Sequence, residues 1–384
     1  MDVNFKNFNF DIDTNKIKKN ITKTTKAIGK GIEALPKKVK TASVVAMFLL
    51  PTLGIVNKCT DKDPNKIEII ENYVDYNAQS KFVDKKERTF HVVQKNDNIY
   101  NIGKKYGVTQ RRLLAVNNLT KKSIIHPNDT ILIPESYTVK NVKTLDDVSK
   151  ATGLSMDYLE TLKAFEKGYY KAENDRNNNP TVGIGHWVTK DERSKYLGRE
   201  LKDEEIYTLL AQDILDAELD IKTKVTPEAW DEMPISLKES VIDLAFNKGS
   251  GAITENSNIY ESLNNKDYVT AIANLTQDYS IVNGKECPAS GLSKRRLYGI
   301  SNATKIFKNG IPDKVLESAE NVYNKGLKYM DAEKKRGEIT AEAYPNVLAE
   351  YKALAYKWFD GKIGEKSDIK VQTIEDEIKE ESVI

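Results

Sequence analysis

Between residues 89 and 135 the period of the apolar positions changes from two to that of a helix and back again. Phe90–Val93 alternate as in a short strand. Three apolar residues then follow at the spacing of one helix face: Ile99, Ile102 and Tyr106. Gly107 predicts the end of this helix, and Thr109 is suited to cap a second one that carries Leu113 and Leu114. A turn at 127–129 leads into a last strand over 130–133, so the pattern predicts a β-α-α-β unit.

The segment from 155 to 187 predicts a short helix followed by a turn and a glycine-rich strand. Three apolar residues lie at helical spacing: Leu159, Leu162 and Phe165. Glu166 therefore falls at the exit of the helix, while 177–180 form a turn and 181–185 a strand. We expect Glu166 and Asp175 to face a shared groove. Two such carboxyl groups are what glycosidic bond cleavage requires, one as proton donor and one to activate water or stabilise the cation.

The N-terminal region has a different pattern. Apolar residues over 17–39 fall on one helix face with lysines around them, which predicts an interfacial helix or, alternatively, a basic tail without fixed structure. Residues 41–57 are uncharged and lie between Lys40 and Lys58, although Pro51 interrupts them. They predict a membrane-inserted or export segment, or else a buried helix. Residues 61–88 are polar with little periodicity and predict a linker.

Charge is unevenly distributed along the chain. Residues 1–60 hold eleven Lys and Arg against four acids, whereas 363–384 hold seven acids against three lysines. The basic front could meet an anionic membrane surface, and the acidic end predicts a solvated tail. Cys59 and Cys287 do not form a disulfide framework, and the three histidines are scattered. We expect no metal site, no cofactor and no nucleic-acid partner.

Residues 89–135 resemble a LysM module over its full length. The matching pieces are VVQKNDNIYNIGKKYGV, LLAVNNL and IIHPNDTILIP, in the family's order. The resemblance implies binding of N-acetylglucosamine-containing polymers between two loops, at Asn96, Asp97, Asn98 and Pro127. The family usually has glycine where Asn96 stands, and asparagine tolerates the same left-handed backbone. The alternative is a degenerate module that serves as a spacer.

The string around Glu166 resembles the phage-type lysozymes, glycoside hydrolase family 24. Asp175 follows Glu166 by nine positions, Thr181 follows by six more, and Gly-Ile-Gly-His comes next at 183–186. Two further segments, 242–249 and 291–296, resemble the family's central helix and its Gly-Leu-x-x-Arg-Arg block. The resemblance implies that Glu166 is the general acid and that Asp175 and Thr181 hold the attacking water.

Other residues of this segment are candidates for substrate binding or for structural contacts. Three side chains are candidates for sugar subsites, namely Trp187, Phe246 and Asn247, with core packing as an equal alternative for Phe246. We expect His186 to pack and hydrogen-bond, and Arg295 and Arg296 to pair with acids. The sequence departs from the family at Lys167, where glycine is usual, and at Glu173, where an aromatic residue is usual. Glu173 could tune Asp175, compete with it or lie in water.

Beyond residue 311 the helical periodicity continues to 358 without a known motif. The extension 311–362 is either a helical hairpin packed on the enzyme or a docking piece, for example for a virion partner. The predicted fold class is α+β, mainly α, with a two-lobed lysozyme-like domain over 150–310, the LysM module over 89–135 and the C-terminal helices. The acidic tail covers 363–384.

We expect a muramidase that cleaves the β-1,4 bond between N-acetylmuramic acid and N-acetylglucosamine for host-cell lysis, with peptidoglycan as its partner. Membrane association through 17–57 would place it at the host cell envelope, on the inner-membrane, periplasmic or wall side. Two alternatives remain: a virion-associated lysozyme for local wall penetration, and a non-catalytic wall-binding protein.

Overall fold

The computed structural model describes residues 79–366, apart from 121, 167, 175–178, 250–256 and 283–284. Two of the predicted regions, the helix over 17–39 and the apolar segment 41–57, lie outside the described residues, as does the predicted catalytic residue Asp175. Within the described part of the chain, no helix is both long and apolar enough to cross a membrane.

The first compact unit has the predicted β-α-α-β order. It consists of β2 (Thr89–Val92), α1 (Ile99–Tyr106), α2 (Gln110–Val116) and β3 (Thr130–Ile133), and β2 pairs with β3 in antiparallel register. Gly107 ends α1 in the left-handed conformation, and the Thr109 side chain accepts a hydrogen bond from the backbone of Arg112. The unit has its own apolar core of Val93, Ile99, Ile102, Val108, Leu113, Leu114, Ile131 and Ile133.

A strand lies inside the segment that the sequence predicted to be a linker. This strand, β1 (Val83–Lys86), pairs antiparallel with β4 (Ser136–Val139), so the chain entering and the chain leaving the small unit run side by side. Val83 and Val139 are buried in the larger core of the protein. The four residues of β1 are charged except for Val83, and this is why hydrophobic periodicity did not reveal the strand.

The larger domain begins with helices and a small sheet. It comprises α3 (Leu145–Thr152), α4 (Met156–Glu166), β5 (Tyr169–Asn174), β6 (Pro180–Gly183) and β7 (His186–Trp187), with an antiparallel sheet in the order β5-β6-β7. A 3-10 turn (Lys190–Glu192), α5 (Arg193–Tyr196) and the long helix α6 (Asp203–Ile221) follow. Helix α6 contacts both the sheet and the next group of helices, so it joins the two parts of the domain.

The second part surrounds a buried helix. It contains α7 (Pro227–Asp231), α8 (Ile235–Lys248), α9 (Ser257–Asn264), α10 (Tyr268–Ala273), the hairpin β8 (Tyr279–Val282) and β9 (Lys285–Pro288), and α11 (Ser290–Thr304). Nine residues of α8 are buried, which is expected of a helix enclosed on several sides. Asp243 is among them, so its carboxylate requires partners from other helices.

The C-terminal extension forms a hairpin of two helices, α12 (Asp313–Lys335) and α13 (Tyr344–Trp358), both of which pack on α11. The α12 stripe of Val315, Ala319 and Val322 belongs to the main core. The Glu333 side chain accepts a hydrogen bond of 3.0 Å from the backbone N–H of Ser290 and so caps α11, which has no capping side chain of its own. The extension therefore packs on α11 and contributes to the core of the larger domain.

The protein is mainly helical with small sheets, and the predicted fold class is confirmed. The small unit has the β-α-α-β order predicted for residues 89–135, and the larger domain has two parts joined by α6.

Candidate active site

Glu166 is the last residue of α4, as its spacing from Leu159 and Leu162 predicted. Both leucines are buried and anchor the helix, so the Glu166 side chain leaves it at a fixed point. This side chain is 19% exposed and forms an ion pair with the Arg295 guanidinium on α11. A largely enclosed carboxyl group that still reaches solvent is suited to exchange a proton with a bound substrate.

Gly185 provides the close approach that places the β6–β7 hairpin against Glu166. Its φ is +79°, and a Cβ added there would lie 2.9 Å from Glu166 Oε2 and 3.0 Å from Phe246 Cε1. A larger residue would be strained in its backbone and would collide with the carboxyl group. Gly185 thus explains physically why this position in the Gly-Ile-Gly-His segment needs glycine. It also brings the predicted residues Glu166 and Phe246 together.

A buried charge network holds Arg295 in place. Asp243 accepts hydrogen bonds from Arg295 Nε at 3.0 Å and from Arg296 Nη2 at 3.1 Å. Arg296 Nη2 also lies 3.2 Å from Asn247 Oδ1, which connects this predicted residue to the network. Burial opposes the charge of Arg295, but Asp243 and Glu166 outweigh it and raise its pKa.

Burial lowers the pKa of the two neighbouring cations, Arg296 and Lys248. It lowers the pKa of Arg296 to about 10, with Asp243 opposing and Arg295 adding to the effect. Burial, together with Arg296 and Arg295, lowers the pKa of Lys248 to about 7. The Lys248 ammonium donates to the Tyr279 carbonyl and so ties α8 to β8. Desolvation is therefore the main effect that disfavours the charged forms of Arg296 and Lys248.

Thr181 and Trp187 occupy one row on the three-stranded sheet. Thr181 lies opposite Glu173 on β5 and opposite Trp187 on β7. Cross-strand partners project from the same face, so these three side chains share a face. Trp187 is 58% exposed, as a sugar-stacking side chain would be. Asp175 lies outside the described residues, and among the described residues Glu173 lies opposite Thr181.

His186 packs and hydrogen-bonds. Its Nδ1 lies 2.9 Å from Asp213 Oδ2 on α6, and its Nε2 lies 3.6 Å from Glu192 Oε1. Burial disfavours the imidazolium ion, but the hydrogen bond to Asp213 and the nearby Glu192 carboxylate outweigh this effect and raise the pKa of His186 to about 10. The charged pair fastens β7 to α6 and so fixes the hairpin that carries Gly185.

Sequence reasoning assigned Arg295 to a structural ion pair but did not foresee its direct contact with Glu166, nor the role of Asp243. Asp243 was visible only as a charged residue within the apolar run of α8. A charge at a position otherwise expected to be buried is the signal that could have identified it.

The two predicted glycan loops of the small unit lie side by side. Val93 accepts from the backbone N–H of Asn128 at 2.9 Å and donates to Asp129 at 2.8 Å, which fixes the loop containing Pro127 against the first loop. Asn96 has φ +72°, the left-handed conformation that was predicted for this position.

The side chains of Asn98 and Asp97 in the first loop form hydrogen bonds within the small unit. Asn98 caps α1 by accepting from the backbone N–H of Asn101 at 2.9 Å. Asp97 accepts from the backbone of Gln94 and from His91, and these hydrogen bonds lower its pKa. Pro127 is exposed. Binding of sugar by Asn96, Asp97, Asn98 and Pro127 stays a prediction.

Among the described residues, no group of three or more His, Cys, Asp or Glu side chains is arranged to hold a metal ion. The predicted roles of Glu166, Asp175, Thr181, Trp187, Phe246 and Asn247 also stay predictions. The structure joins Glu166, Phe246 and Asn247 through Gly185 and the arginine network, and it joins Thr181 to Trp187 through the sheet.

Comparison with known families agrees with both resemblances. Residues 163–298 match the phage lysozyme family and residues 91–134 match the LysM domain. The chain thus contains a phage lysozyme domain preceded by a LysM domain. Together the two matches support a peptidoglycan hydrolase of the lysozyme type that acts on the cell wall. None of the curated proteins matches the chain.

Several solved structures are similar in part. The endolysin from Escherichia coli O157:H7 phage FAHEc1 is 20% identical, with 42% of this chain and 96% of that chain covered and a TM-score of 0.34. The muramidase domain of SpmX from Asticaccaulis excentricus is 20% identical, with coverages of 39% and 96% and a TM-score of 0.33. The active form of the P1 phage endolysin Lyz is 19% identical, with coverages of 43% and 96% and a TM-score of 0.35.

Proposed function

We propose that the protein is a muramidase that cleaves the β-1,4 bond between N-acetylmuramic acid and N-acetylglucosamine and thereby lyses the host cell. The observation that carries the proposal is the position of Glu166, which is enclosed between Gly185 and the Arg295 guanidinium yet remains 19% exposed. In this proposal Glu166 protonates the leaving oxygen as the glycosidic bond breaks.

The second carboxylate and Thr181 would hold the attacking water. Family spacing favours Asp175 for this role. The register of β5 and β6 supports Glu173 as the competitor, because it lies opposite Thr181. Trp187, Phe246 and Asn247 would contact sugar rings around the bond that is cut.

The first experiment compares Glu166→Gln with Glu160→Gln, a matched change on the same helix. Glutamine keeps the size of Glu166 but cannot donate the proton, so we expect a loss of about 10²–10⁴-fold. Clearing of purified cell walls gives the rate. Mass spectrometry of the borohydride-reduced products identifies the sugar at the new reducing end. Full activity of Glu166→Gln, or reducing ends other than N-acetylmuramic acid, would contradict the proposal.

The second experiment ranks the two candidate partners. We expect Asp175→Asn to abolish nearly all activity and Glu173→Gln mainly to move the pH profile. The reverse ranking would assign the water-holding carboxylate to Glu173.

We also propose that residues 41–57 insert into or cross the inner membrane and leave the enzyme on the wall side. The support is their uncharged run and the basic excess before it. Replacing Phe48 and Leu49 by Asp should abolish membrane association in cell fractionation. Finding the wild-type chain in purified particles instead would favour wall penetration by the virion.

A further inference from the structure

The LysM domain is held against the lysozyme domain by a buried arginine. Arg112 on α2 has a side chain only 1% exposed. Its Nε donates to Asp220 Oδ1 at 2.8 Å, and its Nη2 donates to Asp216 Oδ1 at 3.0 Å and to the Asp216 carbonyl at 3.2 Å. Both aspartates are on α6. Burying a guanidinium group is costly, and the ion pairs with Asp216 and Asp220 offset this cost, although Arg112 Nη1 has no hydrogen-bond partner among the described residues. The contact therefore favours one docked orientation.

A second contact joins the LysM domain to the turn beyond the β6–β7 hairpin. The Tyr100 hydroxyl donates to Asp191, and Lys104 Nζ lies 3.2 Å from the same carboxylate. Asp191 follows Trp187 by four residues, in the 3-10 turn Lys190–Glu192. These two hydrogen bonds lower the pKa of Asp191. Helix α1 therefore lies beside the 3-10 turn that follows the β6–β7 hairpin.

A third contact reaches the other part of the lysozyme domain. A Cβ added to Gly249 would lie 3.7 Å from Arg111 Nη1, so this guanidinium group is beside the end of α8. Phe246 and Asn247 form the last turn of that helix. The LysM domain thus touches the hairpin side, the joining helix α6 and the end of α8.

The orientation of α1 decides where the glycan loop lies. Asn98 caps α1, and Tyr100, which contacts Asp191, is in the first turn of the same helix. Tyr100 and Lys104 are one turn apart on α1 and both contact Asp191, so α1 runs alongside the turn that follows β7, and the loop Asn96–Asn98 precedes the Tyr100 end of this contact.

We propose that the LysM glycan loop and the lysozyme site form one extended binding site for a single glycan strand. The strand would run from the sugars beside Glu166, past Trp187, onto the loop Asn96–Asn98. This inference rests on the proposed muramidase function. Because docking fixes the distance between the two sites, binding of one part of a strand raises the local concentration of the rest. Long strands are then cut preferentially, at a set distance from the sugar held by the LysM domain.

The experiment measures kcat/KM on uncrosslinked glycan strands of about ten disaccharides and on fragments of two. The test variants are Arg112→Ala and the double substitution Asp216→Asn with Asp220→Asn, which weakens the same contact from the α6 side. Arg336→Ala, an exposed arginine paired with Glu338, is the matched control. We expect both test variants to lower the long-to-short ratio of kcat/KM at least tenfold and the control to keep it.

Product lengths give a second readout. The wild-type protein should release a narrow range of lengths from long strands, and the test variants a broad range. Circular dichroism checks that each test variant is folded. If one of the two is unfolded, the result of the other variant tests the proposal. Wild-type cleavage with an unchanged ratio and unchanged product lengths in the folded variant overturns the extended site. Failure of the wild-type protein to cleave either substrate contradicts the proposed function instead.

Discussion

Loss of the His186 charge should remove a large and pH-dependent part of the stability of the lysozyme domain. The perturbation is His186→Asn, which leaves Asp213 on α6 without its partner. The pKa of His186 is about 10 in the folded chain, against an ordinary value of 6.5. At 1.36 kcal/mol for each pH unit, this difference corresponds to about 5 kcal/mol of favourable free energy of folding.

The direction of the pH dependence follows from the direction in which folding shifts the pKa of His186. A pKa raised by folding means that the folded state holds the proton more tightly, so the full contribution is present below pH 6.5. It declines as the pH rises above 6.5 and is lost near pH 10. The difference between wild type and His186→Asn in free energy of unfolding should therefore fall as the pH rises from 6.5 to 10, by up to about 5 kcal/mol, because ionisation of the unpaired and buried Asp213 in the variant acts in the opposite direction. The packing lost with the imidazole ring contributes equally at every pH.

Urea unfolding at a series of pH values measures the difference, with His126→Asn as the control because His126 is exposed. The chain has only three histidines, so the proton resonances of His186 can be assigned by comparing variants and titrated directly. A difference that stays constant with pH, or a His186 resonance that titrates near 6.5, would refute the assigned ion pair.

Three further predictions test the site and its supports. Gly185→Ala should reduce wall hydrolysis at least a hundredfold and lower the free energy of unfolding by about 1–2 kcal/mol, because φ is +79° and the added Cβ meets Glu166. Near-normal clearing of cell walls by this variant would show that the hairpin can move away from Glu166. Trp187→Ala should raise KM about tenfold with little change in melting temperature, because the ring of Trp187 is mostly exposed. An unchanged KM would exclude Trp187 from a sugar subsite. Glu333→Ala should lower the free energy of unfolding by about 2 kcal/mol, because the N–H of Ser290 loses its acceptor. A free energy of unfolding in urea equal to that of the wild type would show that the cap is dispensable.

Local features of the sequence determined the ends of several elements. Gly107 and Thr109 place the junction between α1 and α2, and both have the predicted conformations. The spacing of the leucines in α4 placed Glu166 at the end of its helix. Such features could be predicted because helix periodicity and capping depend on residues only a few positions apart.

The tertiary structure decided which distant residues meet. Arg295 contacts Glu166 across 129 positions, and Arg112 contacts Asp220 across 108. Nothing in the local pattern selects these partners, because the two residues of each pair are more than 100 positions apart in the chain. The packing of α11 against α8 and of α2 against α6 determines which charges are buried together, and a buried charge is stable only where its partners are already in place. The sequence therefore predicted candidate residues for the chemistry of the site, whereas folding alone fixed the surroundings of Glu166 and the attachment of the LysM domain.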